Sequence, residues 1–328
     1  MNTEGISIII CCYNSEWIIE RCLKALAIQK VSKNLNWEII LVNNASTDNT
    51  VSLANKTLQN TSLNFSIINE NTPGLLSARK CGVRHSKYSY IIFCDDDNLL
   101  CENYVNSMYE IMHSDRTIGA FGGRGIAEFE SVPDSIIHKH ISSYAIGSQK
   151  ERINDLYGAG LCVRRDCVEK IYNKHDFVLT GRCGGKLLAG DDSELVKSII
   201  LQGYKIGASD ELTFIHVLPT KRLTKKYLCE MYRGFGFSAP VLYVYDLCLE
   251  HKQFKRIYFF YIIIFIKFII HYIISIFKKD NQVILEYVKY ILFGFNFWTL
   301  KKLKTIYKNH LNISSYESQT YHNYNSLF

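Results

Sequence analysis

YIIFCDDDN, residues 90–98, is the most informative segment of this chain, because three carboxylates follow directly on an apolar run. A short apolar run bounded by polar residues is typical of a buried central strand, and open α/β sheets bind ligands at the carboxyl ends of their strands. Carboxylate oxygens suit hard cations such as Mg²⁺ or Mn²⁺, which bind through one or two carboxylates plus substrate phosphates. The alternative is an acidic turn exposed to water, and the surrounding segments are needed to distinguish this turn from a cation site.

Apolar runs alternate with helix-like stretches through the first hundred residues. The predicted strands are 6–14, 37–42, 65–68 and 88–94, and the predicted helices are 16–29, 51–58 and 75–85. Strands that alternate with helices imply crossover connections and a mainly parallel sheet. The sequence therefore predicts an α/β fold with a mainly parallel central sheet and flanking helices.

Residues 1–100 resemble a family 2 glycosyltransferase of the GT-A fold, in the nucleotide-diphospho-sugar transferase superfamily. The resemblance rests on four segments in the family's order: the first strand ending in Tyr13-Asn14, NASTDNT at 44–50, PGLLSAR at 73–79, and Asp95–Asp97 at the place of the family's Asp-x-Asp metal motif. It implies a Rossmann-like catalytic domain that binds a nucleotide-diphosphate-sugar donor.

Two later segments extend the resemblance. GAGLCVRR at 158–165 resembles the family's glycine-rich strand near the donor sugar, and GDDSEL at 190–195 resembles the Gly-Glu-Asp-x-Glu-Leu segment of inverting members. In that match Asp192 takes the place of the catalytic base, and Asp191 takes the place of the Glu before it. The alternatives are a glycine-tolerant turn in the first segment and helix-start carboxylates favoured by the helix dipole in the second.

The resemblance implies a full set of site residues. Asp192, with Asp191 beside it, is expected to take the proton of an acceptor hydroxyl. A divalent cation, Mg²⁺ or Mn²⁺, is expected on Asp95, Asp97 and His216, where it would neutralise the departing diphosphate, although a lone His after a strand is also commonly structural. The expected donor-binding residues are Tyr13, Asn14, Asn44, Ser46, Arg79, Asp95, Asp96, Gly158 and Gly160.

The net charge of +7 is unevenly distributed. Between Thr220 and His310, 16 Lys and Arg stand against 5 Asp and Glu, a balance of +11, so the rest of the chain carries −4. Basic residues here could contact phosphates, with Arg222 and Arg233 as candidates, or could form a solvated or lipid-facing surface.

Residues 257–277 within this basic region are apolar and, at about 1.5 Å per residue, long enough to cross a bilayer core of about 30 Å. Lys267 at the centre of the segment would cost roughly 2.5–3.5 kcal/mol on insertion scales, and basic residues flank both ends. A second apolar stretch, 283–300, follows. We expect a monotopic helical pair on anionic lipid, with a true span, a hairpin or a buried helix as alternatives.

These observations predict three regions. Residues 1–220 form the catalytic domain, with a nucleotide-sugar half at 1–100 and an acceptor and base half at 101–220. Residues 221–310 form a helical membrane-associating region, and 311–328 form a polar, disordered tail. No basic segment followed by an apolar one precedes the first strand, so no secretory signal is expected, and the eleven cysteines are expected to be reduced thiols.

The resemblance thus implies an inverting, metal-dependent glycosyltransferase at the cytoplasmic face of the membrane, acting on a glycan or polyprenyl-diphosphate-linked glycan in surface polysaccharide synthesis. Nucleic acid is not expected, because the basic residues accompany an apolar tract rather than a polar groove. One alternative is a sugar nucleotidyltransferase, which would normally carry a glycine-rich loop where this chain has CCYNS at 11–15. The other is a silent membrane-bound nucleotide-binding scaffold, which would need neither Asp97 nor Asp192.

Overall fold

The computed structural model describes residues 3–174, 177–184, 187–250, 254–277 and 282–295, with residues 301, 304 and 307. Eight strands in these residues form one sheet: β1 Thr3–Cys12, β2 Trp37–Asn43, β3 Phe65–Asn69, β4 Tyr88–Asp95, β5 Asn98–Leu100, β6 Ile118–Phe129, β7 Leu161–Arg164 and β8 Lys205–Leu218. The α-helices are α1 Ile19–Ala27, α2 Thr50–Gln59, α3 Leu75–His85, α4 Tyr104–Ser114, α5 Ser135–Lys139, α6 Arg165–Lys174, α7 Asp191–Leu201, α8 Lys225–Leu249, α9 Phe254–Phe277 and α10 Gln282–Gly294. The predicted tail, 311–328, lies outside the described residues.

The sheet confirms the predicted α/β architecture. Its strand order is β3-β2-β1-β4-β7-β6-β8-β5, and β1 to β4 are mutually parallel where they pair. The first strand ends earlier than predicted, at Cys12 rather than residue 14, because Asn14 has a φ of 52° and so leaves the extended conformation.

The central strands are buried on both faces, which explains their continuous apolar sequence. On β1, Ile8 and Ile10 pack in one core cluster with α1, whereas Ile9 packs in the other with α3. Gly82 lets α3 approach closely, because a Cβ at that position would lie 2.4 Å from Cγ2 of Ile9. This packing fixes the carboxyl ends of β1, β2 and β4 at one edge.

The part of the chain that follows the acidic triplet is tied to that edge by β5. This short strand follows the acidic triplet and pairs antiparallel with β8, so that Asn98 lies opposite His216. The pairing brings a histidine more than a hundred residues away in sequence to Asp97.

The C-terminal helices confirm the predicted helical extension. Helix α10 packs closely on α8 because two glycines remove side chains from the contact: a Cβ at Gly236 would lie 2.3 Å from the carbonyl oxygen of Tyr287, and one at Gly294 would lie 2.7 Å from that of Phe237. Across the described residues, no helix combines the length and apolar composition needed to cross a membrane.

Candidate active site

Asp97 lies at the centre of a buried polar cluster. Its Oδ2 accepts a hydrogen bond from Nη1 of Arg222 at 2.7 Å, and its Oδ1 lies 3.4 Å from Nε2 of His216. Burial opposes ionisation of Asp97, but His216 and Arg222 outweigh it, so the pKa of Asp97 lies well below its ordinary value. Asp97 is therefore a carboxylate at neutral pH.

His216 is oriented so that Nε2 faces the acidic triplet. Its Nδ1 lies 2.7 Å from the carbonyl oxygen of Tyr144. A carbonyl only accepts, so Nδ1 must donate, and Nε2 is the ring nitrogen that faces Asp97. A backbone carbonyl that fixes the ring in this way is usual for a metal-ligating histidine.

The donor atoms at this position fit a divalent cation. Two ligands at right angles, each about 2.1 Å from Mg²⁺, lie about 3 Å apart, close to the 3.4 Å between Asp97 Oδ1 and His216 Nε2. Among residues that the structure describes, no three His, Cys, Asp or Glu side chains gather closely enough to hold a metal alone. The set therefore suits a cation whose coordination is completed by substrate phosphates and water.

The other two carboxylates of the triplet behave differently from Asp97. Burial and the charge of Asp97 raise the pKa of Asp96 to about 7, although Ser15 donates a hydrogen bond to Asp96. Burial also raises the pKa of Asp95, against the attraction of Arg79. Among the three aspartates, Asp97 thus has a lowered pKa, whereas the pKa values of Asp95 and Asp96 are raised. Additional positive charge nearby would lower these two raised pKa values.

Helix α7 begins at the opposite side of the site with three carboxylates that point in different directions. Asp191 is buried and accepts from Nη1 of Arg79 at 2.8 Å. Glu194 is also buried and accepts from the backbone nitrogens of residues 178 and 179 and from the hydroxyl of Tyr245. Asp191 and Asp192 both line the cavity, but only Asp192 among these three carboxylates is partly exposed.

Asp192 is held by backbone donors. Its Oδ2 accepts from the nitrogen of Gly158 at 3.0 Å, and its Oδ1 accepts from the nitrogen of Ser193 at 2.9 Å. Gly158 is needed here for space, because a Cβ would lie 2.7 Å from Nη2 of Arg79 and 3.0 Å from Cβ of Asp192. The arrangement fixes a carboxylate at a cavity wall, as a general base requires.

The loops that follow β1 and β2 are hydrogen-bonded to each other at the carboxyl ends of these strands. The backbone nitrogen of Asn14 donates to Oγ of Ser46 at 3.1 Å, and the nitrogen of Thr47 donates to Oδ1 of Asn14 at 2.8 Å. Asn44 is buried; its amide donates to the carbonyls of residues 70 and 72, and its Oδ1 accepts from the nitrogen of Gly74.

One cavity of 1220 Å³ connects these groups. Of the predicted site residues, those that line it are Tyr13, Asn44, Arg79, Asp95, Asp96, Asp97, Gly158, Asp191, Asp192, His216 and Arg222. The predicted contacts of these residues with donor and cation remain predictions.

Four predicted residues are not part of the lining that the described residues form. Asn14 and Ser46 brace the loops, and the carbonyl of Gly160 accepts from the hydroxyl of Tyr104 at 2.7 Å. Arg233 points to α10, where its guanidinium donates to Glu286 at 2.8 Å. This ion pair engages the positive charge of Arg233, which the sequence analysis named as a candidate phosphate contact.

Arg182 is a cavity residue that sequence reasoning missed. It lies after β7 and α6, lines the cavity, and its charge lowers the pKa of both Asp95 and Asp97 relative to burial alone. Gly181 and Gly184 flank it with positive φ angles of 66° and 56°. Glycines around a lone arginine were the only sequence signal for this position.

A mostly parallel sheet with an acidic triplet at a strand end, facing a carboxylate at a helix start, defines a GT-A-type glycosyltransferase. The sequence profile of glycosyl transferase family 2 matches residues 7–172. The chain belongs to this family.

Two curated relatives align with the N-terminal part of the chain. The Staphylococcus aureus poly-β-1,6-N-acetyl-D-glucosamine synthase is 32% identical over 120 residues, 37% of this chain and 28% of that protein. The Bacillus spizizenii poly(ribitol-phosphate) β-glucosyltransferase is 31% identical over 157 residues, 44% of this chain and 24% of that protein. The chain therefore spans about a quarter of the length of these relatives.

Solved structures share the fold at low identity. The mannosyltransferase PcManGT of Pyrobaculum calidifontis, in complex with GDP-Man and Mn²⁺, has a TM-score of 0.55 and 14% identity, covering 92% of this chain and 73% of that one. S. aureus TarS 1–349 with UDP-GlcNAc has a TM-score of 0.52 and 16% identity, covering 74% and 66%. These likenesses establish the fold.

Proposed function

We propose that this chain is an inverting, cation-dependent glycosyltransferase that moves a sugar from a nucleotide-diphosphate-sugar to a hydroxyl of a glycan or lipid-linked glycan. The observation that carries the proposal is Asp192, a partly exposed carboxylate that shares a cavity with the ionised Asp97. Family membership favours this reaction over nucleotidyl transfer. A silent scaffold would have no use for the ordered Asp192.

In the proposed reaction, Asp192 takes the proton of the acceptor hydroxyl as that oxygen attacks the anomeric carbon of the donor. The anomeric carbon–oxygen bond breaks in the same displacement, which inverts the configuration, and the electron pair goes to the nucleoside diphosphate. The backbone donors of Gly158 and Ser193 keep the carboxylate aimed at the cavity.

The diphosphate side is rich in positive charge. Arg222 and Arg182 both line the cavity beside the triplet, and either guanidinium can bind phosphate oxygens. Asp97, His216 and Asp95 would hold Mg²⁺ or Mn²⁺, and this cation would act as a Lewis acid on the leaving diphosphate.

The relatives support the substrate classes. A GT-A neighbour binds UDP-GlcNAc, another binds GDP-Man with Mn²⁺, and the curated relatives are named as a poly-β-1,6-N-acetyl-D-glucosamine synthase and a poly(ribitol-phosphate) β-glucosyltransferase. We therefore propose a role in surface polysaccharide biosynthesis.

We place the enzyme at the cytoplasmic membrane face, as a peripheral or monotopic protein. Helix α9 presents a row of exposed isoleucines, with Ile262, Ile266, Ile270 and Ile273 exposed by 41%, 50%, 53% and 51%. The surrounding region carries a balance of +11. Apolar area and anionic-lipid attraction together support interfacial binding.

A donor screen tests the proposal. The chain is incubated with UDP-, GDP-, CDP- and dTDP-sugars plus Mn²⁺ or Mg²⁺, and release of nucleoside diphosphate is measured without acceptor. We expect slow hydrolysis of one donor class, abolished by chelator and by Asp97→Asn. Failure of every donor to bind or react, with folded protein and cation present, would overturn it.

A further inference from the structure

The active-site cavity extends beyond the catalytic groups, between the C-terminal helices. This extension, the apolar arm, is lined by Leu242 and Tyr243 of α8, Ile264 and Phe268 of α9, and Phe295 after α10. Pockets for a single small ligand usually occupy about 300–1,000 Å³, and the whole cavity measures 1220 Å³. The donor therefore leaves space for part of a second substrate.

Aromatic rings connect α9 with the residue that follows α10, so the apolar lining of the arm has no gap between them. The ring centroid of Phe295 lies 6.3 Å from that of Phe268 and 5.4 Å from that of Phe265. Leu242, Tyr243 and Phe295 all pack against one core cluster that α8 contributes to. The arm thus offers hydrocarbon surface from two helices, α8 and α9, and from Phe295 just after α10.

Two polar side chains at the border of the arm, those of Ser238 and Asp246, are already bonded within the protein. The hydroxyl of Ser238 donates to the carbonyl of Phe235 at 3.0 Å. Asp246 is paired with Lys197, which also donates to the carbonyl of Asn154 at 3.2 Å. Sugar hydroxyls placed in the arm would lose hydrogen bonds to water without adequate replacement, whereas a hydrocarbon chain would lose none.

Helix α9 is apolar on two opposite sides. Ile264 and Phe268 line the arm, and Ile266 and Ile270, two residues further along and so about 200° around the helix, are exposed on the outer face. A single apolar helix thus separates the reaction cavity from the surface that we assign to the membrane. An acceptor with a lipid tail would meet apolar surface on both sides of α9.

We propose that the apolar arm binds the hydrocarbon chain of a lipid-linked acceptor, while the acceptor hydroxyl lies at Asp192. This inference rests on the proposed function and narrows it, because it selects the lipid-linked acceptor over a free glycan. The chain can be isoprenoid or straight, since both present the same apolar surface to the arm.

Fluorescent fatty-acid binding tests the arm without any knowledge of the sugar. The probe is cis-parinaric acid, kept below its micelle-forming concentration and without vesicles, because its emission rises in apolar sites. We expect saturable binding to the full chain and displacement by geranylgeranyl phosphate, by dodecyl phosphate, or by both. The stronger competitor would identify the chain type, and displacement by neither would overturn the proposal.

Two positions on the same helix provide a matched comparison. Phe268→Asp puts a charge into the arm and should raise the probe Kd at least about tenfold, whereas Ile270→Asp charges the outer face and should leave it within about twofold. Leu242→Asp approaches the arm from α8 and should reproduce the first result, which guards against a folding defect confined to α9. Equal Kd values for wild type, Phe268→Asp and Leu242→Asp would refute the assignment, as would loss of binding only in Ile270→Asp.

Donor hydrolysis separates this inference from the proposed function. It should stay unchanged in Ile270→Asp, because this side chain is exposed on the outer face of α9. Absence of donor hydrolysis in the wild type would count against the proposed function alone. Normal hydrolysis together with equal probe binding by all variants would refute the apolar arm and leave the transferase assignment intact.

Discussion

Replacing Asp192 by Asn should lower kcat by about 10²–10⁴, the usual contribution of a positioned acid or base. At about 1.36 kcal/mol per tenfold, the barrier rises by about 2.7–5.4 kcal/mol. The donor Kd should change by less than about twofold, because the substitution leaves Asp97, His216 and Arg222 in place. The rate of donor hydrolysis measures the change in kcat, and calorimetric titration with the donor measures the change in Kd.

The structure also limits the stability cost of Asp192→Asn. Asp192 uses two oxygens to accept from the nitrogens of Gly158 and Ser193, and an amide has only one acceptor oxygen. One hydrogen bond to a charged group is lost, worth about 1.5–3 kcal/mol at most, and partial exposure to water reduces that loss. We therefore expect a folded variant that is about 1–2 kcal/mol less stable.

The neighbouring Asp191→Asn is the matched control. It leaves the buried guanidinium of Arg79 without its carboxylate, and breaking a buried ion pair commonly costs about 3–5 kcal/mol. Urea unfolding should thus show a larger loss for Asp191→Asn than for Asp192→Asn. Wild-type kcat in Asp192→Asn would refute the assignment of the base, and a reversed order of stabilities would contradict the importance given to the buried Arg79–Asp191 ion pair.

Three further predictions address the cation, the acid response and the membrane. Asp97→Asn should abolish transfer and weaken cation-dependent donor binding. The variant should remain folded, because the substitution removes one negative charge from a crowded triplet. If its donor affinity equals that of wild type both with and without chelator, Asp97 has no role in binding the metal. Burial raises the pKa of Glu194 to about 7, whereas a Glu in an unfolded chain has a pKa of about 4.3. Between these two pH values the folded state binds a proton that the unfolded state has lost. The free energy of unfolding therefore falls as pH rises through this range. Glu194→Gln should flatten that slope in urea titrations at about pH 5 and pH 7, and an unchanged slope would assign it to other groups. The double substitution Ile266→Asp with Ile270→Asp should reduce binding to anionic vesicles, and high salt should reduce wild-type binding partly, because only the electrostatic contribution is screened; unchanged vesicle binding by the double variant would remove the outer face of α9 from the membrane contact.

The nucleotide half of the fold could be predicted because its signals are local. Apolar runs such as residues 90–94 identify buried strands, and their alternation with helices determines a parallel sheet. The acidic triplet was predictable as a site for the same reason, since the end of a central strand places its carboxylates at a ligand-binding edge.

The partners of the site residues could not be predicted, because they come from distant parts of the chain. Arg222 meets Asp97 across 125 positions, and Arg233, which lies only about three helical turns further along the chain, meets Glu286 instead. Periodicity shows that residues at the start of α7 must point in different directions, about 100° apart per residue. Only the packing of α7 against α8, with the ion pair between Asp191 and Arg79, decides that Asp192 faces the cavity.

The C-terminal helices show the same limit. Their sequence gave apolar length and basic charge, which suit a membrane surface, but it carried no sign that one face of α9 borders the catalytic cavity. That position is a matter of tertiary packing, as is the close contact between α8 and α10 at Gly236 and Gly294.

The anomeric configuration of the released sugar tests the central claim most directly. Once a hydrolysed donor is known, time-resolved proton NMR can follow the free sugar before it mutarotates, with water as the acceptor. A single displacement assisted by Asp192 predicts that the first sugar formed has the configuration opposite to that of the donor, and that Asp192→Asn forms it at least about a hundredfold more slowly. Initial formation of the anomer with the donor's own configuration would contradict the account.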